Sequence, residues 1–197
     1  MKKPTIGVLA LQGAVREHLH MLERTGARGI AVKHPAELRL CQGLIIPGGE
    51  STTIGKLMNS NGFLGDVRSL VEGGLPVFGT CAGLIMLASR LTEGNQPLLG
   101  LMDITVRRNA FGRQVDSFET DLDLKYIEDE SRPFRAVFIR APRIEEVGPE
   151  VTVLGELNAK AVIARQERML VSAFHPELTG DARVHRYFLR MVLEASG

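Results

Sequence analysis

The sequence is poor in cysteine and has almost no excess of charge. Among its 197 residues only Cys41 and Cys81 are cysteines, and they form no Cys-x-x-Cys pair. This usage fits a reducing compartment better than a disulfide framework, so we expect a cytoplasmic protein. With 24 basic and 23 acidic residues, the formal net charge is +1. Such a balance predicts no broad electrostatic surface for nucleic acid or for an anionic membrane.

Long hydrophobic runs are also missing. No apolar stretch approaches the roughly 18 residues of a membrane-spanning helix, so we expect a soluble protein. The N-terminal stretch MKKPTIGVLALQG resembles the start of a signal peptide, but its apolar run is short and no small-residue cleavage site follows it. We interpret this run as a buried strand. No repeat, low-complexity tract or linker divides the chain, which predicts one domain over residues 1–197.

Apolar patterns that alternate between strand and helix predict an α/β fold. Strand-like runs at 5–11 and 76–79 alternate with helical patterns at 14–25 and 63–72, which implies crossover units and a mostly parallel sheet. A final amphipathic helix is predicted at 181–195, with Arg183, Arg186 and Arg190 on a solvated face. Six further strand-like segments, several of them expected to be antiparallel, would extend the sheet at its edge: 101–107, 117–124, 136–140, 151–154, 161–164 and 170–174.

The stretch VFGTCAGLIML places one cysteine between two glycines, where a strand pattern gives way to a helical one. The spacing Gly79-x-Cys81-x-Gly83 is the cysteine counterpart of the serine elbow, in which small neighbours allow a nucleophile to occupy a tight strand-to-helix turn. Alternatively, the cysteine packs as a small buried hydrophobe. A base for the thiol, supplied elsewhere in the chain, would favour the first interpretation.

Polar residues that directly follow predicted strands could supply this base, because ligands of open α/β sheets bind at the carboxyl ends of the strands. His175 follows the last predicted strand and has the side chain best suited to deprotonate a thiol. Glu177, two residues later, would lie on the same side and orient the imidazole. An ordinary strand-end turn is the alternative. We interpret the remaining histidines as surface or locally satisfied residues: His18, His20, His34 and His185.

Acyl transfer also needs hydrogen-bond donors for the oxyanion of a tetrahedral intermediate. Gly48 and Gly49, in the stretch PGGES, give a backbone that is free to turn its N–H groups toward a site. The helix predicted after Cys81 offers the N–H of Ala82, and its dipole favours a thiolate. A plain turn is the alternative for the two glycines.

Together, GTCAG, a distant HPE and an early PGGES resemble the class I, triad-type glutamine amidotransferases. Stretches along nearly the whole chain are similar, more specifically, to the glutaminase subunits of pyridoxal 5'-phosphate synthase: GVLALQGAVREH, LIIPGGESTTIGKL, FGTCAGLIML, RRNAFGRQVDSFE, VFIRAPRI and SAFHPELTGDARVHRYF. The resemblance implies a three-layer α/β/α sandwich with a mostly parallel central sheet and an antiparallel extension. It also implies that L-glutamine is hydrolysed to L-glutamate and ammonia, and that a separate synthase (lyase) subunit consumes the ammonia to make pyridoxal 5'-phosphate in vitamin B6 biosynthesis.

The same resemblance assigns roles to individual positions. Cys81 would be the nucleophile, His175 the base and Glu177 its orienting carboxylate, while Gln12 would lie near the partner surface and the oxyanion region. The residues implied to bind glutamine are Gly49, Glu50, Ser51, Arg108, Ile139 and Arg140. An arginine can bind the carboxylate of an amino acid through two parallel hydrogen bonds, which agrees with this assignment. A surface ion pair is the alternative for either arginine.

The expected reaction is thiolate attack on the side-chain amide of glutamine, followed by hydrolysis of a glutamyl thioester, with no metal or organic cofactor. Two other classes of protein stay open. One is a cysteine hydrolase or chaperone-like protein on a related sheet, and the other is a non-catalytic binding or regulatory subunit. A polar loop at 128–135 is expected to vary in length without touching the site.

Overall fold

A computed structural model of the chain describes residues 3–108 and 117–197 and shows a mixed α/β fold. The strands are β1 (Thr5–Leu9), β2 (Arg28–Val32), β3 (Gly43–Ile46), β4 (Val77–Thr80), β5 (Ala88–Leu91), β6 (Met102–Arg107), β7 (Ser117–Leu122), β8 (Phe134–Ile139), β9 (Arg143–Val147), β10 (Thr152–Leu157), β11 (Lys160–Gln166) and β12 (Met169–Ser172). The α-helices are α1 (Val15–Thr25), α2 (Ser51–Ser60), α3 (Phe63–Glu72), α4 (Ala82–Leu87) and α5 (Arg183–Ser196), and short 3₁₀ helices span Pro35–Leu40 and Pro176–Leu178.

The largest sheet has seven strands in the order β10-β11-β12-β4-β3-β1-β2. Strands β12, β4, β3, β1 and β2 are parallel, whereas β11 is antiparallel to both β12 and β10. In the centre, Phe78 on β4 lies between Ile45 on β3 and Leu170 on β12, and all three side chains are fully buried. The predicted mostly parallel sheet with an antiparallel extension is therefore confirmed.

The helices form two groups, which the direction of the crossovers places on opposite faces of this sheet. In the order of the sheet, the connection from β1 through α1 to β2 runs toward the β2 edge. The connection from β3 through α2 and α3 to β4 runs in the opposite direction, toward the β10 edge. Because such crossovers are almost always right-handed, opposite steps put their helices on opposite faces. Consistent with this, α5 packs against α1, while α2 packs against α3 and α4. No helix among the described residues has both the length and the apolar character needed to cross a membrane.

The middle of the chain differs from the sequence-based prediction. Strands β10 and β11 extend the large sheet and β12 lies within it, whereas the remaining strands of this region form two small sheets, β5-β6-β9 and the hairpin β7-β8. The apolar pattern predicts β6, β7 and β8 but misses β5 and β9, because their sequences ASRL and RIEEV contain charged residues and no apolar run. The predicted extension of the sheet at its edge is therefore confirmed for β10 and β11 and was wrong for β6, β7 and β8.

The basic face of α5 was also predicted wrongly. Arg183 is only 1% exposed, and its guanidinium donates hydrogen bonds to the main-chain carbonyls of Asp129 (2.9 Å) and Arg132 (2.8 Å). Arg186 and Arg190 remain partly or fully accessible. The helical spacing groups the three arginines on one side, but Arg183 lies close enough to the helix start to reach the neighbouring loop. Segment 128–135 is thus anchored to α5 rather than free.

Candidate active site

Four loops meet at the carboxyl edge of the large sheet. They follow β1, β3, β4 and β12, which are neighbours in the sheet. The direction of the crossovers reverses between β1 and β3, and a switch of this kind leaves a crevice outside the strand ends. A cavity of about 540 Å³ opens there. Residues at the ends of β6 and β8, from the two small sheets, line one part of it.

The cavity collects nearly all the residues that the sequence predicts for the site. Glu177 is the exception, because it lies behind His175 with only 5% of its surface exposed. The predicted residues that line the cavity are Gln12, Gly48, Gly49, Glu50, Ser51, Cys81, Ala82, Arg108, Ile139, Arg140 and His175.

Cys81 occupies a strained turn between β4 and α4. Its backbone angles are φ 49° and ψ −98°, a region that residues with a side chain rarely adopt. The turn is tight enough to need glycine on both sides. A Cβ on Gly83 would lie 2.0 Å from the main-chain oxygen of Ile46, and one on Gly79 would lie 2.4 Å from the oxygen of Gly83. The glycine-flanked elbow predicted from the sequence is therefore present, although only 7% of Cys81 is exposed.

His175 is held between Cys81 and Glu177. Its Nδ1 lies 2.7 Å from Oε1 of Glu177, because the 3₁₀ helix that starts at Pro176 turns the carboxylate back onto the ring. This contact leaves Nε2 to face the thiol. Burial alone lowers the pKa of His175, but hydrogen bonds with Cys81 and Glu177 outweigh it and raise the pKa to about 10. The geometry therefore favours a protonated imidazole beside the sulfur.

The carboxylate of Glu177 is ionised in this environment. Burial alone raises its pKa, but the electrostatic interaction with His18 and the hydrogen bond and charge of His175 outweigh burial and lower the pKa below its ordinary value. An anionic Glu177 stabilises the imidazolium form of His175.

The glycine loop after β3 passes directly over the imidazole. A Cβ on Gly48 would lie 2.4 Å from Cε1 of His175, so only glycine fits this close approach. The N–H of Gly48 donates to Oγ1 of Thr80 (3.0 Å). This predicted oxyanion donor is thus directed at a neighbouring side chain in the present structure. Gln12 supports the loop, because its Oε1 accepts a hydrogen bond from the N–H of Glu50 (2.8 Å).

Glu50 is one of the predicted glutamine-binding residues that line the cavity. The carboxylate of Glu50 caps α2 by accepting from the N–H groups of Thr52 (3.2 Å) and Thr53 (2.7 Å). This capping lowers the pKa of Glu50 against the opposing effect of burial. The side chain of Glu50 is therefore committed to the helix, and its main chain remains next to the cavity.

Arg108 and Ser51 are joined through one amide. Oε1 of Gln96 accepts hydrogen bonds from Oγ of Ser51 (3.1 Å), Oγ1 of Thr52 (3.4 Å) and Nη1 of Arg108 (3.0 Å). Nε of Arg108 is buried and has no hydrogen-bond partner among the described residues. Arg108 lines the cavity, and a guanidinium there suits an anionic group such as a carboxylate.

Arg140 follows β8 and also departs from ordinary backbone geometry, with φ 42°. It lines the cavity beside Ile139, whose main-chain oxygen lies 3.9 Å from Sγ of Cys81. The hairpin β7-β8 is held to the site by a hydrogen bond from the N–H of His175 to the carbonyl of Val137 (2.8 Å). Ile139 and Arg140 thus approach Cys81 from a hairpin whose strands do not pair with the large sheet.

Sequence reasoning misses several residues that support the site. Of the two alternatives for His18 and His185, a surface position was wrong, because both are completely buried. His18 lies next to Glu177 and Thr80, and His185 lies next to His18. Helical spacing could have predicted this burial. His18 lies on the apolar face of α1 with residues 15 and 22, and His185 lies one helical turn before Phe188. Gln96 has no such signal, since it lies in a loop.

Among the described residues, no group of three or more His, Cys, Asp or Glu side chains is arranged to hold a metal ion. Eleven of the predicted residues instead line one polar cavity around a cysteine. The fold and this arrangement of side chains are typical of α/β enzymes that carry an acyl group on a cysteine.

Comparison with known proteins specifies the class further. The model of the SNO glutamine amidotransferase family matches residues 8–194, and the chain belongs to this family. It is 57% identical over 187 residues to pyridoxal 5'-phosphate synthase subunit PdxT of Moorella thermoacetica, a match that covers 95% of this chain and 98% of that protein. The protein of the same name from Pelotomaculum thermopropionicum is 57% identical over 190 residues, or 96% of each chain.

Solved structures agree with this assignment. A crystal structure of a glutamine amidotransferase is 48% identical and superposes with a TM-score of 0.90, covering 95% of this chain and 98% of that chain. A glutamine amidotransferase from Thermotoga maritima is 12% identical and superposes with a TM-score of 0.63, covering 99% and 96%. At that identity the second match shows a shared fold only.

Proposed function

We propose that this chain hydrolyses L-glutamine to L-glutamate and ammonia, and that it delivers the ammonia to a synthase subunit that makes pyridoxal 5'-phosphate. The observation that carries the proposal is the 2.7 Å contact between His175 and Glu177 directly behind a cysteine on a strained elbow. A buried structural cysteine has no need of an oriented base or of a strained backbone. The family membership and the names of the relatives support the substrate.

In the first half of the proposed reaction, Sγ of Cys81 starts as a thiolate with its proton on Nε2 of His175. The sulfur attacks the side-chain carbonyl carbon of glutamine and forms a tetrahedral oxyanion. His175 then gives its proton to the amide nitrogen, the C–N bond breaks, and ammonia leaves. A glutamyl thioester remains on Cys81.

In the second half, a water molecule gives one proton to Nε2 of His175 as its oxygen attacks the thioester carbonyl. The C–S bond breaks, glutamate leaves, and its new carboxylic acid releases the remaining proton to solvent. Cys81 is again a thiolate beside protonated His175. Throughout, Glu177 holds Nδ1 of the imidazole and stabilises its charged form.

The substrate would lie along the cavity with its amide at Cys81 and its amino-acid end toward Ser51 and Arg108. The guanidinium of Arg108 would bind the α-carboxylate, and the main chain at Ile139 and Arg140 would close the opposite side. The N–H groups of Ala82 and of the Gly48–Gly49 loop would receive the oxyanion.

The remaining parts of the proposal concern the setting of the reaction. We propose that residues 1–197 act as a single glutaminase domain, since the large sheet takes strands from both ends of the chain. A cytoplasmic location rests on the two cysteines, which are both free thiols. The reaction as written needs no cofactor.

Release of glutamate from glutamine by the purified chain tests the proposal. Cys81→Ser should lose nearly all activity and stay folded, because a hydroxyl is a poor replacement for a thiol in a site built for a thiolate. Cys41→Ser is the matched control and should keep full activity. Equal activity in the two variants would remove Cys81 from the mechanism, and no activity in the wild type under any condition would remove glutaminase chemistry.

The partner is tested by adding a pyridoxal 5'-phosphate synthase subunit to the same assay. The N–H of Gly48 is bonded to Thr80, so the oxyanion site is incomplete until the loop turns. If docking turns the loop, the partner should raise kcat and leave KM for glutamine nearly unchanged, because the new donor acts on the transition state. A chain that already has its full kcat alone would show that the partner only captures ammonia.

A further inference from the structure

A pair of histidines is buried beneath the proposed triad. His18 on α1 and His185 on α5 have no exposed surface, and Nδ1 of His18 lies 3.0 Å from Nε2 of His185. The other ring nitrogen of His18, Nε2, lies 3.1 Å from Oγ1 of Thr80 and 3.5 Å from Oε2 of Glu177. Neither histidine reaches the cavity. The proposed reaction leaves both unused.

The polar atoms around the pair determine where its protons lie. Oε2 of Glu177 is buried and has no hydrogen-bond partner among the described residues, so a lone pair on the facing Nε2 of His18 would repel it. A proton on that nitrogen removes the repulsion, because the N–H donates to Oγ1 of Thr80 (3.1 Å) and also turns its positive end toward the carboxylate oxygen at 3.5 Å. Nδ1 of His18 is then an acceptor for Nε2–H of His185.

The same assignment explains the far end of the pair. Nδ1 of His185 is buried without a hydrogen-bond partner in the described structure. If Nε2 of His185 carries the proton, this orphan atom is an acceptor and not a donor. In protein interiors, a buried acceptor without a hydrogen-bond partner is more common than a buried N–H donor without one. Both ends of the network therefore favour the Nε2-protonated tautomer of each ring.

We propose that His18 is a positioning residue for the glutaminase reaction, which directs its Nε2–H at the free oxygen of Glu177 and so fixes this carboxylate against His175. His185 holds His18 in the required tautomer. Oε1 of Glu177 faces Nδ1 of His175 and Oε2 faces Nε2 of His18, so the carboxylate is held from both sides. This inference rests on the proposed function and extends its triad by one residue.

The network also joins the carboxylate to the oxyanion loop. Thr80 lies next to Cys81 in sequence, and its Oγ1 is shared by Nε2 of His18 and the N–H of Gly48. If the N–H of Gly48 turned away from Thr80, the hydroxyl of Thr80 would therefore keep its hydrogen bond with His18 and lose the one from Gly48. The charged and titratable groups that act on His18 are Glu177, His175, Glu17 and, from α5, His185.

Glutaminase kinetics with the synthase subunit present test the role of His18. His18→Leu removes the N–H that faces Oε2 of Glu177 and should lower kcat by about tenfold, the order of loss expected when a polar contact to a charged group is removed, with KM for glutamine unchanged. The acidic limb of its pH–kcat/KM profile should move to higher pH, because Glu177 loses a group that favours its anion. His18→Gln places an amide N–H near the position of Nε2. It should therefore return both kcat and the position of the acidic limb to near their wild-type values.

His20→Leu is the matched control, because His20 is exposed on the same helix. An ordinary pH profile and kcat in His18→Leu would overturn the proposal. So would a His18→Gln variant that is as impaired as His18→Leu, since a role in packing alone would not distinguish a donor from a hydrocarbon.

The protonation of the rings gives a second test that does not depend on activity. Nitrogen NMR of the chain labelled with ¹⁵N-histidine should show a neutral His18 with its proton on Nε2, assigned by its loss in His18→Gln. A proton on Nδ1 of His18 would overturn the inference even in an active enzyme. An inactive wild type with the expected tautomer would instead refute the proposed function and leave the arrangement of the rings standing.

Discussion

The two cysteines of the chain lie in opposite chemical environments. Burial raises the pKa of the Cys41 thiol to about 11, and its Sγ lies 3.6 Å from the main-chain oxygen of Glu37. Cys81 instead lies beside His175, whose pKa is raised by the contact. Because the thiolate and not the thiol is the nucleophile, the two residues should differ widely in reactivity.

Iodoacetamide at pH 7.5 should therefore alkylate Cys81 at least about tenfold faster than Cys41. Mass spectrometry of the two cysteine peptides over time measures both rates in one sample. His175→Asn should slow the reaction of Cys81 and leave that of Cys41 unchanged. Similar rates for the two thiols in the wild type would contradict a thiolate at Cys81.

The roles of His175 and Glu177 can be separated by conservative substitutions. His175→Asn removes the group that moves protons and should lower kcat by about 10³-fold or more. Glu177→Gln removes only the orienting charge, so it should be impaired less and should retain some turnover. Steady-state glutamate release measures both, with His20→Asn as a control at an exposed position. A fully active His175→Asn enzyme would rule out the triad.

The residues that sequence reasoning found share one property, which is that each directly follows a strand. Cys81 follows β4, and His175 and Glu177 lie a few positions after β12, so the strand pattern alone places them at one edge of the sheet. His18 could not be found in this way. Its partners Thr80 and His185 are 62 and 167 positions away, and only the packing of α1 against α5 brings them together.

At the scale of elements, the junction of β4 and α4 is the least tolerant part of the fold. Gly83→Ala would bring a methyl group to 2.0 Å from the main-chain oxygen of Ile46, which cannot move aside without breaking β3. We expect the substitution to lower the free energy of unfolding by about 2 kcal/mol or more. Urea unfolding followed by circular dichroism measures this loss.

Gly65 provides the matched control for this substitution. It is also a helical glycine, in α3, but a Cβ there would meet no atom within 4 Å. Gly65→Ala should raise the free energy of unfolding by up to about 1 kcal/mol, because alanine has the higher helix propensity. If both substitutions had the same effect, close packing at the elbow would not be what requires Gly83.

Elements with strong apolar periodicity are the ones that the sequence predicts well. Helix α3 spans Phe63–Glu72 as predicted, and α1 ends at Gly26, which adopts the left-handed conformation with φ 85°. The two small sheets are predicted poorly, because their strands are short, partly charged and paired across long separations. Those same sheets supply Arg108 and Arg140, so the resemblance to a family, and not the pattern of elements, predicted this side of the cavity.

At the scale of the whole molecule, the buried histidines contribute to the dependence of stability on pH. Burial lowers the pKa of His18, and burial together with repulsion from His18 lowers the pKa of His185 to about 3. In the unfolded chain both titrate near 6.5. Below pH 6.5 the unfolded chain therefore binds protons that the folded chain does not, so acid favours unfolding.

The free energy of unfolding should thus fall as the pH is lowered from 6.5 to 4.5, by up to about 1.4 kcal/mol per pH unit for each histidine. The raised pKa of His175 acts in a different window, since its stabilisation is complete below pH 6.5 and declines as the pH rises toward 10. Urea titrations at several pH values measure the slope. His185→Phe should flatten the acidic limb and His20→Gln should not; a flat wild-type profile from pH 4.5 to 6.5 would contradict buried neutral histidines.

The backbone at Cys81 has a consequence for how the chain can change over time. A residue with a side chain at φ 49° and ψ −98° destabilises the fold by about 1–3 kcal/mol, whereas glycine adopts this conformation freely. Cys81→Gly should accordingly unfold at a higher temperature than Cys81→Ala, which keeps a Cβ. Selection for stability alone would favour glycine here, and only selection for chemistry opposes it. In a lineage that no longer needed the ammonia, Cys81 should be among the first residues to be replaced. A glycine at this position would then indicate that glutaminase activity has been lost.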